Sequence, residues 1–215
     1  MARRALQRIG IFGGTFDPIH RGHLLLAAAA ARRCQLDWIY FVPAADPRHK
    51  AAPRASYADR YAMVALALAG RRQWSPLAIP QPVGQPTHSL RQIRWIGRRH
   101  PGARLYFILG ADAMTEIHTW HRFRELLAAC DFILAPRLGL GPQAVAAALP
   151  PGMATEIGAE GFRLRRRRVF WLANFRAPSG SRLLRARLGQ AGAKGRPQDL
   201  PAAVAAYQRR GGFYS

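Results

Sequence analysis

Two histidines three residues apart, His20 and His23, flank Gly22 where a short apolar run gives way to an amphipathic one. At the start of a helix, both imidazoles can point to the same place. The helix N-terminus adds backbone N–H groups and partial positive charge. Two imidazole donors at such an end make a site for a polyphosphate. This fits phosphoryl or nucleotidyl transfer, where positioning and charge neutralisation dominate. Gly13 and Gly14 precede the pair, and glycines there allow a tight turn and close approach of a ligand to the amides. Lys50, one of two lysines in the chain, is a flexible loop cation that can meet phosphates as a point charge. A zinc reading of the histidines finds no Cys or third His at ligand spacing. The string is neither a P-loop nor a full G-x-G-x-x-G.

Short apolar strands alternate with amphipathic helices around these residues. Strands are expected at Ile9–Phe12, Trp38–Val42, Leu77–Ile79, Arg104–Leu109, Phe132–Ala135 and Val169–Leu172. Helices are expected at Gly22–Arg33, Ala58–Leu68, Ser89–Arg99, Glu125–Ala129, Leu183–Leu188 and Ala202–Tyr207. The alternation predicts an α/β, Rossmann-like, doubly wound parallel sheet with helices on both faces. A single domain spanning 1–215, with a small C-terminal helical part from about 174, is the expected organisation. Ligands of such sheets bind beyond the carboxyl ends of the strands. The segments after Phe12, Val42, Leu109 and Ala135 fall at that edge. The Gly-, Pro- and Ala-rich stretch Gly139–Gly161 reads as an excursion with a weak helix at Gln143–Ala148.

The chain carries 33 basic and 11 acidic residues, a net +22. Such a field attracts nucleotides, phosphates, nucleic acid or acidic membrane. Almost all of the cations are Arg in an Ala-, Gly- and Pro-rich chain, so codon composition accounts for much of the excess. Arg165–Arg168 is the one true charge run, read as a solvated loop or as a nucleic-acid patch. Cys34 and Cys130 lie far apart and read as free thiols of a reducing compartment. No apolar run approaches the ~20 residues that span a bilayer, and no leader is recognisable, so the expected location is cytoplasmic, without membrane attachment.

The string Gly13-Gly14-Thr15-Phe16-Asp17-Pro18-Ile19-His20-Arg21-Gly22-His23 resembles the signature of the H-x-G-H nucleotidyltransferase superfamily. Its G-G-T-F-D-P-I-H form is similar to bacterial nicotinate mononucleotide adenylyltransferases in particular. Pro47-Arg48-His49-Lys50 resembles the family's P-P-H-K segment. Arg60 matches an R-x-x-M pattern, although a helix-surface position is the simpler reading. Phe107-Ile108-Leu109-Gly110-Ala111-Asp112 resembles F-I-I-G-A-D, Trp120 with Leu126-Leu127 a W-x-x-x-x-x-L-L stretch, and Arg137-x-Gly139 an R-x-G. Two segments depart from the pattern. At Gly84–Leu90 the family reads S-Y-T-x-D-T-L, and here His88 replaces the acid and Pro86 a threonine. Capping of the next helix falls to Thr87 or Ser89. Ser179–Arg185 is an imperfect match to I-S-[SA]-T-x-I-R.

The resemblance implies transfer of AMP from ATP to nicotinate mononucleotide, with loss of diphosphate, in NAD biosynthesis. It implies His20, His23 and Lys50 as charge-neutralising catalytic groups. ATP contacts fall to Gly13, Gly14, Thr15, Phe16, Gly22, Gly110, Asp112, Ser181 and Arg185, with Asp112 receiving ribose hydroxyls. Acceptor contacts fall to Thr87, Trp120 and Arg137, with Trp120 stacking on the pyridine ring. Mg²⁺ is expected mainly on the ATP phosphates. A homo-oligomer is compatible with this reading. Its rivals are another acceptor (nicotinamide mononucleotide or phosphopantetheine), a non-catalytic basic nucleic-acid binder, and a fragment of a tRNA synthetase.

Overall fold

The computed structural model describes residues 6–45, 52–80, 88–137, 139–176, 184–185 and 199–214. Lys50, Thr87 and Ser181, and nearly all of the helix expected at Leu183–Leu188, lie outside them. The described strands are β1 (Arg8–Gly14), β2 (Trp38–Pro43), β3 (Trp74–Pro76), β4 (Arg104–Gly110), β5 (Asp131–Ala135), β6 (Thr155–Gly158), β7 (Gly161–Leu164) and β8 (Arg167–Trp171). The helices are α1 (Arg21–Cys34), α2 (Tyr57–Leu68), α3 (Ser89–Arg99), α4 (Ala111–Thr115), α5 (Phe123–Ala129), α6 (Pro142–Ala147) and α7 (Ala202–Gly211), with a 3₁₀ turn at Ile117–Thr119. The strands hydrogen-bond in the order β3-β2-β1-β4-β5-β8-β7-β6. The α/β, mostly parallel architecture expected from the alternation is the one observed.

The chain folds as two compact units. The first takes the described parts of 1–13, 29–39 and 88–176. Here β1, β4, β5 and β8 run parallel, with Ile11 beside Phe107 and Phe107 beside Phe132. Strands buried on both faces read as continuous apolar runs. Accordingly Leu105–Leu109 and Phe132–Ala135 are buried throughout. Asp131 is the polar exception in β5. Its carboxylate takes Arg104 Nε at 2.6 Å and the Arg168 amide at 2.8 Å. On α3, Leu90, Ile93 and Ile96 face the core.

The stretch expected to be an excursion contains α6 and the start of an antiparallel addition, in which β6 pairs with β7 and β7 with β8. The arginine tract is the reversal of that hairpin. Arg165 and Arg166 form its two-residue turn, Arg165 at φ +52. Arg167 donates to the Ala128 carbonyl at 2.8 Å. Gly161 adopts φ +127, and a Cβ there would lie 1.9 Å from the Val169 carbonyl oxygen. The four consecutive arginines Arg165–Arg168 hid the β-pattern, because Arg alternates with apolar residues only over Phe162–Arg165.

The second unit takes the described parts of 14–28, 40–87 and 177–215. Ser56 caps α2, accepting from the Asp59 amide at 3.2 Å. Asp59 in turn accepts from Tyr207 of α7 at 3.0 Å. The third strand lies at Trp74–Pro76 and not at Leu77–Ile79. Pro76 and Pro80 flank that apolar triplet, and proline offers no N–H to a ladder. Among the described residues, no helix is long and apolar enough to cross a membrane. Cys34 and Cys130 are both buried free thiols.

Candidate active site

In the second unit, the turn after β1 is fixed from the inside. Phe16 takes a left-handed conformation (φ +49) and buries its ring, with Phe41 5.9 Å away between centroids. The glycines do not make the turn. Gly13 and Gly14 close β1. A Cβ on Gly14 would approach the Phe16 ring to 3.0 Å, and one on Gly13 would meet Phe107 at 3.3 Å. They are small for close packing, and the turning falls on Phe16.

Asp17, 4% exposed, is the hub of the turn. Its Oδ2 accepts the Arg54 amide at 2.9 Å. Its Oδ1 accepts the Ala55 amide at 3.2 Å and the Tyr214 hydroxyl at 2.6 Å. Arg185 donates to the Asp17 carbonyl at 2.7 Å and lies 3.8 Å from the carboxylate. Arg60 is 1% exposed, not on a helix surface. It donates to the Thr15 carbonyl at 2.7 Å and to the Ala55 carbonyl at 3.3 Å. Burial pulls the Arg60 guanidinium below its ordinary value, opposed by the charge of Asp17. Burial, then the bond to Asp17, pushes the Tyr214 phenol up. The backbone of Thr15 and Asp17 is thus held by two cations, one of them fully buried.

This frame delivers the histidines to the start of α1. The His20 and His23 rings stack, centroids 3.8 Å apart. The His20 amide donates to His23 Nδ1 at 3.2 Å, and Phe16 meets the His23 ring edge-on at 5.1 Å. The expected convergence of the two imidazoles is present. The helix end is less open than expected, since the Arg21 amide donates to the Asp199 carbonyl at 2.7 Å and the His23 amide to the His20 carbonyl at 3.0 Å. The arrangement offers imidazole donors at a helix N-terminus, an anion-binding chemistry.

In the first unit, Gly110 ends β4 and caps α4. A Cβ there would sit 2.3 Å from Asp112 Oδ1, so the space over the glycine holds the Asp112 carboxylate. Arg137 pairs with that carboxylate at 3.4 Å, both side chains about half exposed. Trp120 is half-buried and meets Phe107 edge-on at 6.4 Å, so Phe107 links it to Gly13. It is therefore anchored, without being a core residue. His88, the departure from the expected acid, stacks on His121 at 4.1 Å. It is also the residue preceding α3, where it makes no side-chain capping bond, so Ser89 begins the helix and does not cap it. Of the expected residues, Thr15, Phe16, Gly22, His20, His23 and Arg185 gather in the second unit, and Gly110, Asp112, Trp120 and Arg137 in the first. Asp17, Arg60 and Tyr214 were not among the expected site residues. The signals were the carboxylate inside the signature, since such a group demands partners when buried, and for Arg60 its match to R-x-x-M.

A family model described as cytidylyltransferase-like matches residues 11–181. A "probable nicotinate-nucleotide adenylyltransferase" of Gloeobacter violaceus is 42% identical over 136 residues, covering 63% of this chain and 66% of the relative. One of the same name from a Synechococcus species is 41% identical over 152 residues, covering 67% and 72%. The nicotinic acid mononucleotide adenylyltransferase of Plasmodium falciparum, solved with NaAD, superposes with a TM-score of 0.72 at 16% identity, covering 97% of both chains. That likeness is one of fold. With 171 of its residues matched from 11 to 181 and relatives above 40% identity, the chain belongs to the cytidylyltransferase-like family, and within it to the nicotinate-nucleotide adenylyltransferases.

Proposed function

We propose that this chain transfers the AMP unit of ATP to nicotinate mononucleotide, giving nicotinate adenine dinucleotide and diphosphate. The observation that carries the reading is the turn Thr15–His23. A buried, multiply bonded Asp17 and a buried Arg60 set two stacked histidines at the head of a 14-residue helix. The names borne by the relatives supply the acceptor. The family match runs through segments of both units, which supports reading 1–215 as one nucleotidyltransferase domain.

The acceptor's ionised 5′-phosphate is the nucleophile. A P–O bond forms to the α-phosphorus of ATP, and the bond to the β-phosphate oxygen breaks, releasing diphosphate. No side-chain nucleophile takes part. His20, His23 and Arg185, with Lys50, neutralise charge on the transferring and leaving phosphates. Asp112 receives ribose hydroxyls, and Arg137 and Thr87 serve the acceptor side with Trp120 against the pyridine ring. Among the described residues, no three His, Cys, Asp or Glu side chains cluster as a metal cage does. This donor set suits Mg²⁺ carried on the ATP phosphates. Bound there, the ion would add positive charge against the leaving diphosphate.

The test is diphosphate release from purified chain with ATP, Mg²⁺ and three separate acceptors: nicotinate mononucleotide, nicotinamide mononucleotide and phosphopantetheine. Release with the first at the highest kcat/KM is the expected result. Equal or greater kcat/KM with either of the others would replace the acceptor, and no release with any would remove the transferase reading.

A further inference from the structure

We propose that Tyr214 is a positioning residue of the transfer site: its phenol hydroxyl holds the Asp17 carboxylate and, through it, the His20–His23 pair. The inference rests on the assignment of transfer to that turn.

Among the contacts to the Asp17 carboxylate, the bond from Tyr214 at 2.6 Å is the shortest, against 2.9 and 3.2 Å for the two amides. Both partners are almost wholly buried, Asp17 4% and Tyr214 3% exposed. A carboxylate in that setting keeps its charge only where donors surround it. Losing the phenol hydroxyl leaves Oδ1 short of a donor and lets the group turn toward Arg185, 3.8 Å away. Arg185 also holds the Asp17 carbonyl, so such a rotation displaces the backbone three residues before His20.

The segment that delivers Tyr214 is itself locked. Gly212 ends α7 in a left-handed conformation, φ +62. Gln208 Nε2 donates to the Phe213 carbonyl at 2.9 Å, and the Phe213 ring stacks on Tyr207 at 5.9 Å. Tyr214 follows at φ +80. A bulky side chain seldom takes that region, and it persists there where its surroundings over-determine it. The structure holds the tyrosine in a costly conformation, and what it gains is the bond to Asp17.

The test compares Tyr214→Phe with Tyr207→Phe in the full chain. The second also removes a hydroxyl delivered by the same segment, but one that ends on Asp59. Steady-state kcat and KM are measured well below each variant's melting temperature, with ¹⁵N NMR of the imidazole nitrogens. For Tyr214→Phe, kcat falls roughly tenfold or more, as expected for a misplacement of catalytic groups, while both KM values hold within about twofold. The His20 and His23 signals move with it. Tyr207→Phe changes neither, whatever it does to melting. Wild-type kcat with unmoved imidazole signals in Tyr214→Phe overturns the proposal, including when the variant is destabilised. If Tyr214→Phe does not fold, Tyr214→Gly removes the same hydroxyl and relieves the positive φ, and wild-type kcat with unmoved imidazole signals in that variant overturns the proposal equally. His20→Ala with full turnover would instead remove the assignment on which the inference rests.

Discussion

The backbone N–H of His20 donates to Nδ1 of His23 across 3.2 Å. That bond uses Nδ1 as an acceptor, so the neutral His23 ring carries its proton on Nε2. His23 is thereby set as a donor through the nitrogen away from its own backbone. The His20 ring stacks on it, centroids 3.8 Å apart and planes 30° apart.

Replacing either histidine by alanine should remove one preorganised donor and lower kcat by about 10²–10³-fold. His20 is 4% exposed whereas His23 is half-buried, so His20→Ala should also lower the melting temperature more. Diphosphate release with circular dichroism on the same samples checks both. Near-normal turnover in both folded variants would remove the histidines from catalysis.

Arg60→Met keeps length and bulk but withdraws the donors to the Thr15 and Ala55 carbonyls. It also leaves the buried Asp17 with one cation fewer. The expected loss is about 3 kcal/mol of unfolding free energy, the scale of a broken buried charge network. Urea titration measures it, and a loss below about 1 kcal/mol would return Arg60 to the helix surface.

Much of the turn was legible in the string Gly13–His23, where the glycines and the spaced histidines mark the passage from strand to helix. The alternation of apolar runs likewise announced the parallel sheet. What was not legible depends on long-range pairing. Arg60 has the spacing of a helix residue, and nothing local says that its guanidinium lies under Thr15. Tyr214 is far along the chain from Asp17. The hairpin β6–β8 was hidden because Arg165–Arg168 looks like a charge run, while Asp131, its distant partner for the Arg168 amide, looks like an ordinary strand start. His88 showed as a missing acid, but its stacking on His121 could not be read from either residue.

Gly110→Ala places a methyl 2.3 Å from Asp112 Oδ1. The neighbour is the end of a side chain, so the fold should survive and the carboxylate should be pushed aside, away from Arg137. The expected result is a melting temperature near wild type with an apparent KM for ATP raised roughly tenfold, the value of one charge-assisted hydrogen bond. An unchanged KM would take Asp112 out of the nucleotide contacts.

Alkaline pH should destabilise the fold before it alters the site. Burial pushes the Cys34 thiol from 9.0 up to about 11, and Cys130, Tyr106 and Tyr214 move in the same direction. The unfolded chain ionises these groups first, so it binds fewer protons and gains on the folded one as pH rises. For Cys34 the contribution is complete below pH 9 and lost between 9 and about 11. Melting temperatures measured from pH 7 to 11 should stay level, then fall beyond 9, and Cys34→Ala should shrink the fall. With a thiol reagent at pH 8, neither cysteine should react until denaturant is added.

The contacts that complete Asp17 span 37 and 38 positions to Arg54 and Ala55, 168 to Arg185 and 197 to Tyr214. On the ribosome, the signature turn is made 197 positions before its most distant clamp. At 5–20 residues per second that interval is roughly 10–40 s. The nascent chain should therefore carry the histidines in an unfinished turn until Tyr214 has been made. Stalled nascent chains ending before Arg185 should be inactive even when β1, α1 and β4 are already protected from protease.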